Sequence, residues 1–507
     1  MNIQEFINDL KEENILIDFT KASFGVSNIA YDSKKVCKGT LFVCKGKTFK
    51  KKYLEEAIEK GASCYVSEID YNLDIPHIKV SDIRKAMAVI AGRFYDHPDR
   101  KLVLIGITGT KGKTTTAYYI KAILDRHLLN SGKKPAGILS GVFSYCGEGN
   151  EASELTTPET FELFDKLNEA VNNGLEYLVM EVSSQALKYH RTYGLRFAYA
   201  GYLNLDEDHI SPEEHADFED YKAAKLLLFK ACDRAVLNKD SEHYDAFLKQ
   251  SEGAEKIISF SSKGKAADYK AADINAKKSV LEFNVIYSGN SNGSSTLISK
   301  DKLKILSGGE FNVDNALLAI SICSEIGVSY EDIKEGLYNV KVPGRMEIVK
   351  SAGGRIAIVD FAHNKLSFIK LFETVKKEYP DKKIAIVFGT PGGKAYDRRA
   401  TMGIIAAQNA YKLYITEDDP YMEEAEDICE EIRAVAAKYS NDVQVVVNRQ
   451  AAIERAVNET DEGWIILIVG KGIEDVIKRK EGWVPMEPDN KCVERVFHES
   501  EAHNKQF

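Results

Sequence analysis

The stretch ITGTKGKTTTAYY, residues 107–119, decides how the rest of the chain is read. It continues LVLIG (102–106), an apolar run without alternation that suits a parallel strand covered on both faces. Gly109 and Gly112 make a flexible turn, and Lys113, Thr114, Thr115 and Thr116 open a helix. Strand, glycine-rich turn and helix N-terminus together favour phosphate oxygens, through free backbone N–H groups and the helix dipole. Lys113 adds a positive charge, and the Thr114 hydroxyl can reach a magnesium ion. One part of the usual loop is missing. The spacing G-x-x-x-x-G-K-[ST] asks for a glycine five residues before Gly112, and Ile107 stands there instead.

The 507 residues exceed one ordinary domain; at about 150 residues each, about three are expected. A composition of 44% hydrophobic and 29% charged residues is that of a globular protein. Lys plus Arg number 68 against 77 Asp plus Glu, a net charge of -9, so nothing invites a nucleic-acid backbone. The densest basic run, KGKTFKKKY (45–53), reads on charge alone as a solvated face. Eight scattered cysteines form no C-x-x-C pair and have no histidines at zinc spacing, which points to reduced thiols. The start, MNIQEFINDLKEENILIDF, is an amphipathic helix without the apolar core of a signal peptide. No run approaches the ~18 apolar residues of a membrane span. A cytoplasmic protein is expected.

Strands and helices mix up to residue 97, ending in the helical pattern SDIRKAMAVIAGRFY (81–95), which HPDRK (97–101) breaks. Strands at YLVMEV (177–182) and YAGYLNL (199–205), with a helix at FELFDKLNEAVNNG (161–174), give the rhythm of a doubly wound α/β domain. The polar stretch YSGNSNGSSTLISK (287–300) reads as a loop or hairpin, and FNVDNALLAISICSEIG (311–327) as a closing helix. A turn at VPGRME (342–347) precedes four apolar strands, in IAIVDFAH, KIAIVFG, KLYITEDDP and WIILIVGKG, each ending in polar or glycine-rich residues. Ligands gather at such strand ends. The expected division is an N-terminal α/β domain (1–97), a central P-loop domain (98–341) and a C-terminal Rossmann-like domain (342–507).

The loop resembles that of the Mur ligases, GTxGKTT, here Gly109, Thr110, Lys111, Gly112, Lys113, Thr114 and Thr115, so the missing glycine is a family trait. The likeness is closest to the MurE type. It extends through YDSKKVCKGTLFVCKGKTFKKKYL (31–54), LTTPET (155–160), MEVSSQALKYHR (180–191), NLDEDHISPEEH (204–215), GEFNVDNA (309–316), VPGRMEIV (342–349), VDFAHN (359–364) and GKGIED (470–475). The resemblance implies an ATP- and magnesium-dependent peptide ligase of peptidoglycan synthesis. It would act on UDP-N-acetylmuramoyl-L-alanyl-D-glutamate and an amino acid, as a monomer without nucleic-acid partners. Phosphorylation gives a carboxylate the leaving group it lacks, and the amine then attacks the acyl phosphate. Fixed cations must meet the developing charge.

It also implies roles for single residues. Glu181 and His209 match magnesium-binding positions, alongside Thr114. Lys225 matches a lysine that the family carbamylates, which calls for a desolvated site where the amine can lose its proton. Asn312, Arg345, Asp360 and His363 are expected at ATP, Thr156, Thr157, Ser184 and Arg191 at the peptidyl substrate, and Ser33 at the uridine nucleotide. Gln185 stands where the family more often has histidine and Phe361 where it has tyrosine, and His209 and His215 are two residues further apart than usual.

In the branch that adds meso-diaminopimelate, a DNPR motif supplies an arginine for the distal carboxylate. Here the residues are Asp418, Asp419, Pro420 and Tyr421, and tyrosine cannot supply that charge. Asp418, Asp419 and Glu474, with Gly470, form instead an acidic wall suited to an ammonium group. L-Lysine is the expected substrate, with ornithine and diaminopimelate as alternatives. Folylpolyglutamate synthase shares the loop and the chemistry but lacks the YDSKK block. A P-loop motor would not need the third domain.

Overall fold

The computed structural model describes residues 1–46, 48–207, 210, 214–277, 280–288, 296–297, 301–306, 308–393 and 396–504. His209 lies outside the described residues, as do Lys47 of the basic run and most of residues 289–300. The chain packs as two units. One holds residues 1–272, 284–301 and 313–337; the other holds 273–283, 302–312 and 338–507.

Three principal sheets carry the α/β fold. The N-terminal one takes its strands in the order Leu16–Phe19, His77–Val80, Ala62–Ser67, Thr40–Val43, Asn28–Ala30. Only the first of these pairs is antiparallel. The opening helix, Ile3–Glu12, carries a capping box from Asn2 and Glu5 and buries Ile3, Phe6, Ile7 and Leu10. The helix expected over 81–95 runs Ile83–Phe94, capped by the Asp82 carboxylate, which accepts from the N–H groups of Arg84 and Lys85.

In the central sheet Val103–Thr108 lies between Tyr177–Glu181 and Phe197–Tyr202, all parallel. Gly137–Leu139 follows on one side, Cys232–Asn238 and Lys256–Ser261 on the other. From Val103–Thr108 the chain first builds one side of the sheet and then crosses to the other. The carboxyl end of that strand is therefore the topological switch point, where a crevice opens in such sheets. The strand expected at 199–205 starts earlier and ends at Tyr202. The polar segment after residue 286 is a hairpin at its base, with Ile286 opposite Leu297 and Tyr287 opposite Thr296.

In the second unit the strand order is Glu347–Lys350, Ile356–Asp360, Trp464–Val469, Lys383–Phe388, Lys412–Ile415, Val443–Val445. Only the first pair is antiparallel. The four apolar runs read from the sequence are its four central strands, buried on both faces, as their lack of alternation requires.

Candidate active site

Ile107 is fully buried within its strand, in register with Glu181 and Gly201, and its carbonyl accepts from the Val182 N–H at 2.8 Å. The strand thus runs through the position where the usual loop places its first glycine, and the turn begins after Thr108. Gly112 caps the helix Lys113–Asn130 with φ +87°, a conformation that glycine adopts without cost. A Cβ there would lie 2.2 Å from the Asn315 Oδ1, and one on Gly109 would lie 3.0 Å from the Leu203 Cβ. The loop is pinned from outside. Asn204 Oδ1 accepts from the Lys111 N–H at 2.9 Å while its amide donates to the Lys111 carbonyl at 3.2 Å. Thr110 shares a 3.0 Å hydrogen bond with the Tyr221 hydroxyl.

Two lysines converge on this turn. Lys113 Nζ donates to the Gly109 carbonyl at 2.8 Å and to Thr110 at 3.3 Å. Lys225, on the helix Phe218–Leu226 and 1% exposed, donates to the same Gly109 carbonyl at 3.0 Å. Glu181, buried at the end of its strand, takes the Thr114 hydroxyl on Oε2 at 3.0 Å and the Gly141 N–H on Oε1 at 2.8 Å. Thr114 and Glu181 thus offer adjacent hard oxygens, the donor type magnesium prefers.

The Glu181 carbonyl accepts from Thr157 Oγ1 at 2.8 Å, which joins the phosphate loop to the TTPE segment. Arg191 donates to the Thr157 carbonyl at 3.1 Å and pairs with Glu159 at 2.6 Å. Glu159 also holds Lys45, whose ammonium lies 4.4 Å from the centre of the Tyr31 ring. Burial works against its ionisation, yet the Lys45 hydrogen bond and the Arg191 charge keep its carboxyl below the ordinary range. Lys45 of the basic run is therefore a half-buried counter-ion and not a fully solvated charge. Thr156 approaches the same place, its Oγ1 3.2 Å from where a Gly141 Cβ would stand. Ser184 is 4% exposed and bonded to His215 at 3.0 Å. Gln185, in place of the usual histidine, donates to Glu214 at 3.0 Å. Ser33 donates to Glu56 at 2.9 Å.

In the second unit Arg345, Asp360 and His363 surround Phe361. The Arg345 guanidinium lies 4.7 Å from its ring centre, the His363 ring stands edge-on at 5.2 Å, and His363 Nδ1 is 2.8 Å from its carbonyl oxygen. Asp360 accepts from the N–H groups of Met346 and Ala362, both at 2.8 Å. The phenyl ring that replaces the usual tyrosine is thus the surface on which the arginine rests. Asn312, 2% exposed, donates its amide to the Gly308 carbonyl at 2.6 Å.

The acidic wall differs from its expected form. Lys471, 1% exposed, binds Asp419 at 2.9 Å and pairs with Glu474. Two of the three acids already hold an ammonium belonging to the protein. Asp418 is the exception. It is 8% exposed, and among the described residues no hydrogen-bond donor reaches its carboxylate. Gly470, at φ +113°, leaves it room, since a Cβ there would lie 2.6 Å from Asp418 Oδ2. Burial pushes the Asp418 carboxyl above its ordinary range and Asp419 adds to this, while Lys471 and Arg449 oppose it. Tyr421 is engaged with Lys478: its N–H donates to the Lys478 carbonyl at 3.0 Å and its ring lies 4.7 Å from the Lys478 ammonium.

Sequence reading missed Lys471, Asn204, Tyr221 and Asn315. Lys471 carried a usable signal, since a lysine between two glycines at a buried strand end needs counter-charges.

A P-loop at the switch point of a doubly wound sheet, joined to a second Rossmann-like sheet bearing a charged corner, defines a nucleotide-dependent enzyme of more than one α/β domain. Residues 107–323 match the Mur ligase middle domain and residues 344–472 the Mur ligase, glutamate ligase domain. The chain is 37% identical over 457 residues to the UDP-N-acetylmuramoyl-L-alanyl-D-glutamate--L-lysine ligase of Streptococcus pneumoniae serotype 2, covering 90% of this chain and 89% of that one. A solved UDP-N-acetylmuramoyl-L-alanyl-D-glutamate--2,6-diaminopimelate ligase shares the fold over 99% of both chains, with a TM-score of 0.67 at 23% identity. The folylpolyglutamate synthase of Thermotoga maritima covers 76% of this chain, with a TM-score of 0.58 at 16% identity. The chain belongs to the Mur ligase family. It is an ATP-dependent ligase of peptidoglycan synthesis with the family's three-domain α/β fold. Among the described residues no helix is long and apolar enough to cross a membrane.

Proposed function

We propose that the enzyme joins L-lysine to the D-glutamate of UDP-N-acetylmuramoyl-L-alanyl-D-glutamate through an acyl phosphate. The observation that carries the choice of amine is Asp418, a buried carboxylate with no donor among the described residues, beside a Tyr421 that cannot grip a second carboxylate. A buried charge needs a partner, and the ammonium end of lysine supplies one. Lys471 keeps Asp419 and Glu474 occupied, so the three-acid wall narrows to a single acceptor. The lysine activity of the pneumococcal relative supports the same choice.

The phosphate loop and Lys113 would hold the ATP phosphates, with Gly109, Thr110, Lys111, Gly112 and Thr115 framing them. Thr114, Glu181, His209 and a carbamylated Lys225 would hold magnesium; bound there, the ion neutralises phosphoryl oxygens as the γ-phosphate moves. Lys113 and Lys225 share one carbonyl oxygen, so two like charges meet in a buried place. Adding carbon dioxide to Lys225 turns that repulsion into attraction, which favours the modification. Arg345, Asp360, His363 and Asn312 would complete the nucleotide site, and Thr156, Thr157, Ser184, Arg191 and Ser33 the site for the UDP-dipeptide. The domain limits at 97/98 and 341/342, a monomeric state and a cytoplasmic location belong to the same reading; the net charge of -9 supports the absence of nucleic acid.

The test is phosphate release with the UDP-dipeptide and a panel of amino acids. L-Lysine should be the fastest substrate and no amino acid should leave only background. A faster rate with meso-diaminopimelate would overturn the assignment.

A further inference from the structure

Ser184, His215 and Asp220 form a hydrogen-bonded chain. Ser184 opens the short helix Ser184–Lys188, His215 lies in the loop before the helix Phe218–Leu226, and Asp220 stands in that helix's first turn. His215 Nε2 is 3.0 Å from Ser184 Oγ, and His215 Nδ1 is 3.3 Å from Asp220 Oδ2. The imidazole is fully buried, with the Tyr221 ring set obliquely 5.2 Å away. Asp220 is itself anchored, by Lys188 at 2.5 Å and by the Ala216 N–H at 3.1 Å. The Lys188 hydrogen bond in particular keeps its carboxyl below the ordinary range, so it acts as an acceptor.

That polarity sets the rest. In the tautomer that turns its Nδ1 proton toward Asp220, Nε2 is left as an acceptor. The Ser184 O–H then points at His215, and the oxygen's lone pairs are what remain for a ligand. We infer that His215 and Asp220 are positioning residues that fix Ser184 as a hydrogen-bond acceptor for a peptide N–H of the UDP-dipeptide. The inference rests on the reading of Ser184 as a contact to that substrate. Attack by Ser184 itself is not needed, because the acyl phosphate already carries the leaving group that the amine displaces.

The experiment measures KM for the UDP-dipeptide, ATP and L-lysine in His215→Leu, His215→Gln, Asp220→Asn and Ser184→Ala, and in the His215→Leu/Ser184→Ala pair. His215→Leu should raise the UDP-dipeptide KM about tenfold, the scale of one hydrogen bond, and leave the other two KM values unchanged. His215→Gln, whose carbonyl oxygen can take the serine proton, should restore most of it. In the Ser184→Ala background His215→Leu should add nothing, since there is no hydroxyl left to orient. An equal effect in both backgrounds would show a merely structural histidine and overturn the inference alone. If Ser184→Ala leaves the UDP-dipeptide KM unchanged, the substrate contact fails and the inference with it. Asp220→Asn, an isosteric change at a half-buried side chain, keeps the test open if His215→Leu does not fold: it should raise the same KM, and an unchanged value counts against the relay.

Discussion

Replacing Asp418 by asparagine keeps the shape and removes the charge, so it isolates what the carboxylate contributes to amine recognition. Truncating one partner of a buried charge pair costs about 2–5 kcal/mol, a loss of about 30-fold to a few thousand-fold in affinity. Two features point to the lower half of that range. Asparagine retains a carbonyl that accepts from an ammonium, and Lys471 already offsets part of the Asp418 charge. A fall of about 100-fold in kcat/KM for L-lysine is therefore expected, about 2.7 kcal/mol of lost transition-state binding. Norleucine, which has no terminal ammonium, should lose nothing.

The same substitution should move stability the other way. Burial raises the Asp418 carboxyl above its ordinary value, so the folded state binds its proton more tightly than the unfolded chain does. Such a group favours folding most below the unfolded value of 3.8 and loses that contribution as pH rises through the raised one. At neutral pH the wild-type protein without amino acid carries this cost and Asp418→Asn does not, so the variant should melt higher. L-Lysine should raise the melting temperature of the wild-type protein in the presence of nucleotide and UDP-dipeptide, and fail to do so for the variant. Phosphate release and thermal melting across pH measure both arms. A variant that keeps the wild-type KM for L-lysine, or that loses as much toward norleucine, would refute the reasoning.

Three further outcomes follow from the geometry. Lys471→Met leaves Asp419 and the partly exposed Glu474 without their shared cation and should destabilise the second unit by about 1–3 kcal/mol, read by urea denaturation. Arg449 and Asp489 are almost fully buried and bidentate at 2.8 and 2.7 Å, so Arg449→Met should cost ~3–5 kcal/mol, while the Arg449→Met/Asp489→Leu double change should recover most of it. Lys225→Ala should abolish phosphate release with little change in melting temperature, and wild-type enzyme stripped of carbon dioxide should regain activity on adding bicarbonate.

The sheets were legible because burial on both faces leaves its mark on every residue of a strand. LVLIGIT, KIAIVFG and WIILIVGKG hold no alternation, and each is a central parallel strand. The phosphate loop was legible for a related reason: its chemistry is local, carried by backbone N–H groups and a helix start within eight residues. Element ends were less so. YAGYLNL stops being a strand at Tyr202, because Asn204 leaves the sheet to hold Lys111 on both its N–H and its carbonyl. That pairing spans 93 residues of sequence, and nothing in the run itself announces it.

The acidic wall shows where residue types mislead. Asp418, Asp419 and Glu474 are equivalent on paper, three carboxylates near one strand end, and their sum suggests a site ready for any ammonium. What separates them is a competition for one buried cation. Lys471 is fixed by its place between Gly470 and Gly472, and its reach takes in Asp419 and Glu474. Asp418 is left without a donor, and Gly470 presents no side chain to it. A side chain at Gly470 would displace Asp418, and an uncharged residue at 471 would release two rival acceptors beside it. Discrimination between amines of different length then depends on the lysine between those glycines as much as on the acids: with Lys471 in place only one acceptor is open, at one depth, and lysine and ornithine differ by one methylene in reaching it. Lys471→Met should therefore narrow the preference for L-lysine over ornithine in the phosphate-release assay, in a preparation shown to be folded. An unchanged ratio would place the discrimination elsewhere.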